Sequence, residues 1–169
     1  METTRQVATI TGHDRPGIID DVCTVIDRNS GRVLDLRSSD VAGCFAMLAL
    51  YECAATAGPA IEAQLGELAS VSSMGVSIHA AEPCDGRGTH LYRLVASGVD
   101  HVGVLRRLSH LLRVLSINIE QIDTRSDSDA KTTMTLTLSV PRNTPLTKLR
   151  EFVGQLLASH QMDWELKSI

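Results

Sequence analysis

The sequence predicts an α+β protein in which one β-α-β-β-α-β unit occurs twice in tandem. The segments Gly12-His-Asp-Arg-Pro-Gly17 and Gly98-Val-Asp-His-Val-Gly103 share three positions at a shift of 86 residues, about half of the 169-residue chain. Later apolar and turn positions match at the same shift: Ile19 with Leu105, Pro59 with Pro145, Val76 with Met162 and Ile78 with Trp164. A period of this size is that of a small domain and is too long for a solenoid repeat.

The first copy alternates between strand and helix patterns. β-rich apolar runs bounded by turn residues predict strands, and apolar residues spaced by three and four predict helices. Ala42-Gly43 is a tight hairpin turn, and Asn29-Ser30-Gly31 is a helix stop signal. Strands are predicted over residues 5–12, 32–41, 44–54 and 76–80, and helices over 16–29 and from Gly58-Pro59 onward.

The second copy repeats this order. Thr144-Pro145 predicts an N-cap followed by proline at the first helical position. Strands are predicted over residues 91–97, 117–125, 131–140 and 162–167, and helices over 101–115 and 145–160. We expect two domains, residues 1–83 and 91–169, joined by a linker over residues 84–90.

The element order is that of the ferredoxin-like split unit, an antiparallel sheet with both helices on one face. The open faces of the two sheets are expected to differ. In the second copy Thr133, Thr135 and Thr137 alternate with apolar residues, so that face can meet water. In the first copy Phe45–Tyr51 is apolar on both faces, which favours cover by another surface.

Composition excludes several function classes. The net charge of −4 and the aromatic share of 3% argue against direct nucleic-acid binding, which needs basic grooves and stacking rings. The longest uncharged apolar run, Cys44–Tyr51, is too short to span a bilayer, and no apolar signal segment opens the chain. We therefore expect a cytoplasmic protein with no membrane contact, whose four cysteines are small core residues and bind no metal.

The charge is unevenly divided between the halves. Residues 1–85 carry 5 Arg against 12 Asp and Glu, and residues 86–169 carry 11 basic against 8 acidic residues, giving −7 and +3. On the first helix of each copy, aspartates of one match arginines of the other at the same shift: Asp20 with Arg106, Asp21 with Arg107, Asp27 with Arg113. Either the two faces are solvated and have drifted apart, or they meet, within the chain or across a dimer, and set pairing by complementarity.

The chain at this point resembles the ACT domain family of small-molecule sensing modules. The resemblance is carried by Ile10–Ile18 and Val33–Leu36, and in the second copy by Gly98–Val104 and Ile117–Glu120. Two such domains joined directly resemble the glycine cleavage system transcriptional repressor group. The resemblance implies a non-catalytic regulator, without cofactors, that binds a small amino acid between domains and acts on transcription or metabolism through a partner protein. We also expect a homodimer.

Each strand-to-helix loop is a candidate amino-acid site. A first helical turn presents free N–H groups and the positive end of the helix dipole, which suit a carboxylate. A glycine lets a ligand approach, and a loop aspartate can accept a hydrogen bond from an ammonium group. The candidate residues are Asp14, Arg15, Pro16 and Gly17 in the first loop and Asp100, His101 and Gly103 in the second.

The resemblance also implies an amide side chain early in the second strand, which Asn118 supplies. The matching residue in the first copy is Arg32, and Val102 replaces the loop proline in the second. A structural role competes with the binding hypothesis. Asp14 and Asp100 are good N-cap residues for the helices that follow, and the glycines could serve tight packing of helix on strand.

Enzyme motifs are not found in the sequence. Asp127-Ser128-Asp129 begins like a phosphatase motif but falls in a predicted hairpin turn. No phosphate loop, nucleophile elbow or zinc-protease motif occurs, so we expect no catalytic residues. The alternative to a sensor is a ligand-free module that mediates protein–protein interaction or dimerisation.

Overall fold

The computed structural model describes residues 2–81, 88–99, 102–127 and 131–169 of the chain. The chain forms two compact units, Met1–Cys84 and Asp85–Ile169. The elements of the first unit are β1 (Thr3–His13), α1 (Ile18–Arg28), β2 (Arg32–Val41), β3 (Cys44–Ala54), α2 (Gly58–Val71) and β4 (Gly75–Ala80). Those of the second are β5 (Thr89–Val99), α3 (Val104–Val114), β6 (Asn118–Ser126), β7 (Lys131–Pro141), α4 (Leu146–Ala158) and β8 (Met162–Ser168).

Each unit contains one antiparallel sheet of four strands. The strand order is β2-β3-β1-β4 in the first and β6-β7-β5-β8 in the second. Each of the edge strands β2 and β6 has a register shift in its pairing with the neighbouring strand. The shift lies between Val33 and Asp35 in β2 and between Ile119 and Gln121 in β6. The predicted fold class, two ferredoxin-like β-α-β-β-α-β units, is confirmed.

The core of each unit lies between the sheet and its helices. In the second unit Leu108 and Leu112 of α3 and Val153 of α4 pack against Leu136 and Leu138 of β7, and all are fully buried. The strand residues recur every second position and the helical ones every fourth, so one face of each element is apolar. On β8, Trp164 pairs with Ala96, and its indole lies so close to Gly154 that a Cβ there would come within 3.0 Å of Cζ2.

The open faces of the two sheets differ as predicted. Leu48 on β3 is 50% exposed on the face away from the helices. Thr133, Thr135 and Thr137 are exposed or half-buried on β7, between fully buried neighbours. The described residues of the first unit leave an apolar sheet face uncovered, whereas that of the second is polar.

The prediction of one constant shift is wrong beyond the central hairpin. β1, α1 and the start of β2 recur after 86 residues. Met47 pairs with Ile10 and Met134 with Ala96, so β3 and β7 are related by 87 residues. Val76 also pairs with Ile10, and Trp164 with Ala96, which makes the shift 88 for the last strand.

Two connections explain the change, since the second unit has one more residue both in the β6–β7 hairpin and between β7 and α4. Pro59 and Pro145 are therefore not equivalent, and Val76 corresponds to Trp164 rather than to Met162. The positions with positive φ follow the same steps: Ser30 matches Ser116, and Ser73 matches Gln161.

Several predicted boundaries move by a few residues. Helix α4 begins at Leu146 with Pro145 as its N-cap, so Thr144 is not the cap. Most of the predicted linker, residues 84–90, lies outside the described residues, and its last two residues, Thr89 and His90, belong to β5. Cys53 is buried, but Cys44 is exposed, contrary to the expected core role.

Candidate functional site

The loop between β1 and α1 is closed by Gly17 and not by Asp14. Gly17 is the N-cap of α1 with φ 90°, and no side chain caps the helix. The Asp14 N–H donates to the Gly43 carbonyl at 3.2 Å, and its exposed carboxylate makes no hydrogen bond with the described residues. The N-cap role predicted for Asp14 is therefore wrong, because a left-handed glycine three residues later takes that position.

Arg15 ties the first loop to both helices of its unit. Its Nη2 lies 2.6 Å from Asp21 Oδ2 and 3.2 Å from Ser72 Oγ, and its Nη1 donates to the Pro16 carbonyl at 3.3 Å. The guanidinium group thus already donates hydrogen bonds to the loop, to the start of α1 and to the end of α2. It is a poor carboxylate receptor in this arrangement.

The second loop is described only from Val102 onward, so the candidates Asp100 and His101 lie outside the described residues. Gly103 is the N-cap of α3 with φ 89°, again without a side-chain cap. A Cβ on Gly103 would meet no described atom within 4 Å, and one on Gly17 would meet only Arg15 Nη1 at 3.9 Å. Both glycines are required by their φ values, so the suggested tight packing is not their role.

Asn118 does not lie near Gly103 within the second unit. It is the first residue of β6 and pairs with Ser139, whereas the loop end of the sheet is marked by Ser126 paired with Thr132. Eight residues of strand separate the two ends by about 25 Å. Asn118 Nδ2 donates instead to Glu120 Oε1 at 2.9 Å. Its counterpart Arg32 lies 3.9 Å from Glu52.

The structure reveals a pocket of the second unit that the sequence interpretation missed. Its volume is about 220 Å³, and we call it the hydroxyl pocket. It lies between the first turn of α3, the end of β6 and the start of β7. The lining residues are Val102, Gly103, Val104, Leu105, Thr124, Ser126, Thr132, Met134 and Met162.

Thr132 gives this pocket its polar wall. It is buried, at 5% exposure. Its Oγ1 lies 2.7 Å from Ser126 Oγ, and either hydroxyl can be the donor. Whichever donates, the other keeps its own O–H hydrogen, so the pair has a donor left for a third group. The signal was present in the sequence, because strand alternation places Thr132 on the inward face with Met134 and Leu136.

The electrostatics of the two helix starts are opposite. The first turn of α1 contains Asp20 and Asp21, which offset the positive end of its dipole. The first turn of α3 contains no acidic residue, and Arg106 and Arg107 lie there. The N–H groups of a first helical turn have no intrahelical acceptor. The start of α3 therefore favours an anion, and the start of α1 does not.

The same corner of the first unit is built differently. Phe45, at 7% exposure, occupies the position that Thr132 has in the second unit. A larger depression of about 620 Å³ lies at this end of the first sheet. It is lined by Thr11, His13, Ser39, Cys44, Phe45 and Ser73 among others, and by no residue of α1. The first unit thus lacks the combination of hydroxyl groups and helix start.

Residues 4–79 match the family model of the ACT domain. The first unit is an ACT domain. The second unit repeats its element order and strand order, so the chain carries two units of the ACT fold in tandem, as predicted.

Two solved structures resemble the whole chain. A protein of unknown function from Galdieria sulphuraria has a TM-score of 0.81 and 23% identity, and 99% of each chain is covered. A candidate glycine cleavage system transcriptional repressor has a TM-score of 0.73 and 18% identity, with 99% of this chain and 98% of that chain covered. No curated protein sequence matches the chain. At these identities the likeness establishes the fold.

Two thiols of the ACT domain are held protonated. Burial, and then the charges of Asp20 and Asp27, raise the pKa of Cys23, and burial raises the pKa of Cys53. A reactive cysteine needs a lowered pKa, since the thiolate is the nucleophile. In the part of the chain that the structure describes, no three His, Cys, Asp or Glu side chains are grouped to hold a metal ion. No described helix is long and apolar enough to cross a membrane.

Proposed function

We propose that this tandem ACT protein is a non-catalytic regulator whose second unit binds a small amino acid in the hydroxyl pocket. The ACT domain is a regulatory fold, and the proposal assigns the sensing role to one of the two units. The bound state would be read by a partner protein that acts on transcription or metabolism. A ligand shifts such an equilibrium only by its differential affinity for the two states.

The observation that carries the proposal is the meeting of an uncapped helix start with a hydroxyl pair, buried Thr132 and exposed Ser126. The N–H groups at the start of α3 can donate to a ligand carboxylate. The hydroxyl oxygens of Thr124, Ser126 and Thr132 can accept from an ammonium group, and the spare O–H can donate. The volume is below the roughly 300–1,000 Å³ of pockets for drug-sized ligands, which favours a ligand of amino-acid size.

The candidate residues divide between the units. Gly103 lines the pocket and belongs to the proposed site. Asp100 and His101 lie outside the described residues and stay a prediction. Asn118 lies at the far end of β6 and is not included. The first-loop residues 14–17 stay a prediction, which the engagement of Arg15 and the bulk of Phe45 make the weaker of the two sites.

Titration of the full chain with glycine, serine, alanine and the other amino acids tests the proposal. A ligand that binds only the folded state raises the unfolding midpoint, by about 2.7 kcal/mol of stability at a hundredfold excess over Kd. Calorimetric titration then gives the affinity. A panel in which no amino acid shifts the midpoint or releases heat would contradict the proposal.

A matched pair of variants locates the site. Thr132→Val and Thr133→Val each replace a hydroxyl by a methyl on neighbouring residues, one lining the pocket and the other on the open face. Thr132→Val should weaken binding by about 1–2 kcal/mol because it removes a hydroxyl that contacts the ligand, whereas Thr133→Val should not change it. Equal affinities for the two variants would place the ligand elsewhere.

The second candidate is a ligand-free interaction module. The half-exposed Leu48 on the open face of the first sheet favours it, since uncovered apolar faces mark interaction sites. This alternative predicts no midpoint shift with any amino acid, together with loss of a partner or of self-association on Leu48→Lys.

A further inference from the structure

The helix layer of the second unit contains a groove with an apolar floor and a basic rim. The groove has a volume of about 440 Å³. Leu111, Val114 and Leu156 form its apolar part. The basic and polar residues that line it are Arg106, Arg107, His110, Ser159 and His160. We call it the basic groove.

The arginines of α3 have no acidic partner in the described part of the chain. No described carboxylate lies within 4.0 Å of Arg106, Arg107 or Arg113. Arg107 Nη1 lies 3.4 Å from His160 Nε2, and Arg113 Nη2 lies 3.3 Å from His110 Nδ1. Neither histidine contact supplies a negative charge, so within the described residues the charge of these arginines is not compensated.

The corresponding face of the first unit has the opposite charge. Asp20 and Asp27 stand at the positions of Arg106 and Arg113, and both are exposed. Neither makes an ion pair or side-chain hydrogen bond with the described residues, whereas Asp21 is paired with Arg15. Apolar groups lie among these charges: Ile19 is 42% exposed, and Val71, the counterpart of Ser159, is 88% exposed. We call this the acidic face.

We propose that the basic groove of one molecule binds the acidic face of a second copy of this chain. Charge complementarity selects this occupant, since three arginines on α3 stand at the positions of three aspartates on α1. Each chain carries both surfaces, the basic groove on its second unit and the acidic face on its first, so a second copy supplies the complementary surface. The basic groove and the hydroxyl pocket share no lining residue, although both reach the first turn of α3.

The charges and the apolar residues have separate roles in this contact. Exposed ion pairs add little affinity, but they set register, exclude like-charged partners and speed association. Val71 and Ile19 on one side and Val114 on the other supply apolar area that leaves water on binding. The association should therefore weaken with salt without vanishing, because salt screens only the charged component.

Sedimentation equilibrium on the full chain tests the proposal with a charge-swap design. Arg106→Glu with Arg113→Glu, and separately Asp20→Arg with Asp27→Arg, should each raise the dimer dissociation constant at least tenfold. The four substitutions combined should restore it to within about threefold, because the pairs are re-formed with reversed sign. Raising NaCl from about 50 to about 500 mM should weaken the wild-type dimer and the restored dimer alike.

The control is Arg125→Glu, which reverses an exposed arginine on the open sheet face of the same unit and should leave the dissociation constant unchanged. Circular dichroism and the unfolding midpoint show whether each variant is folded. If the arginine-to-glutamate double variant is not folded, the neutral pair Arg106→Gln with Arg113→Gln takes its place. A wild-type chain that remains monomeric at high concentration overturns the proposal. So does a fourfold variant that stays as weak as either double variant.

Discussion

The two units of this protein have the same backbone fold but differ in the chemistry of their surfaces. The strand orders agree, the edge-strand bulges match, and the left-handed residues recur at equivalent positions. Three places differ: Phe45 stands where the second unit has Thr132, aspartates on α1 where it has arginines on α3, and Leu48 where it has Thr135. The strand order is the same in both units despite these differences.

The difference at Phe45 and Thr132 is the most informative of the three. The inward position at the start of the third strand holds a large apolar ring in one unit and a small hydroxyl in the other. In the first unit the residue at that position is part of the hydrophobic core, and in the second unit it lines a pocket. In the proposed function, this position serves the core in the first unit and ligand binding in the second.

Phe45→Thr should have the largest effect on stability. Removing a ring that is 7% exposed leaves a cavity and a buried hydroxyl in the first unit, which should lower the free energy of unfolding by about 4 kcal/mol. Urea unfolding followed by circular dichroism measures it. Phe152→Thr is the control, because Phe152 is 39% exposed on α4, and its loss should cost less than about 1 kcal/mol. Similar losses for the two variants would contradict the core role of Phe45.

The close approaches at Gly98 and Gly12 give the next largest difference. A Cβ on Gly98 would lie 2.8 Å from the Gln161 carbonyl oxygen and 2.9 Å from Met162 Cα, both backbone atoms. On Gly12 the nearest atom is Met74 Cγ at 2.7 Å, in a flexible side chain.

Gly98→Ala should therefore lower the unfolding free energy by about 3 kcal/mol and Gly12→Ala by about 1 kcal/mol. Denaturant titration of the two variants measures this gap. If Gly12→Ala lowers the unfolding free energy more than Gly98→Ala does, the packing around these two glycines is not the one that the interatomic distances indicate.

Tyr51 gives the first unit a pH dependence that the second lacks, since Leu138 takes its place there. Burial, and then the charges of Cys53 and Glu62, raise the pKa of Tyr51 to about 12, and its hydroxyl donates to Gln6 Oε1 at 2.9 Å. A raised pKa means that folding favours the neutral phenol. Its contribution is complete below the unfolded pKa of about 10 and is lost as pH rises toward 12.

Tyr51→Phe should cost about 1 kcal/mol at neutral pH and flatten the fall in stability between about pH 10 and pH 12. Unfolding curves at several pH values measure both effects. A slope that Tyr51→Phe leaves unchanged would show that another group causes the alkaline loss.

The sequence predicted the fold because its pattern is local. Period-two and period-four apolar positions define each strand and helix, and the alternation of Met162, Trp164 and Leu166 with charged residues is reproduced in β8. The polar open face of the second sheet followed from the same rule. A constant shift of 86 residues failed because single-residue insertions lie in connections that carry no periodic signal.

The candidate site was predicted less well than the fold. The loops were located correctly, but Asp14 was given a cap role that the left-handed Gly17 takes. The hydroxyl pocket was missed because Thr124, Thr132 and Gly103 are distant in sequence and meet only through strand register. Thr132 stands in a run of threonines, and only its inward parity distinguishes it from Thr133.

Trp164, packed against Gly154, is an intrinsic fluorescence probe of this molecule. It is the chain's single tryptophan, and it lies in the second unit. Its fluorescence therefore reports on the second unit alone, whereas amide circular dichroism averages over both halves. Melting of the two units as one body or one after the other can thus be distinguished without attaching a dye.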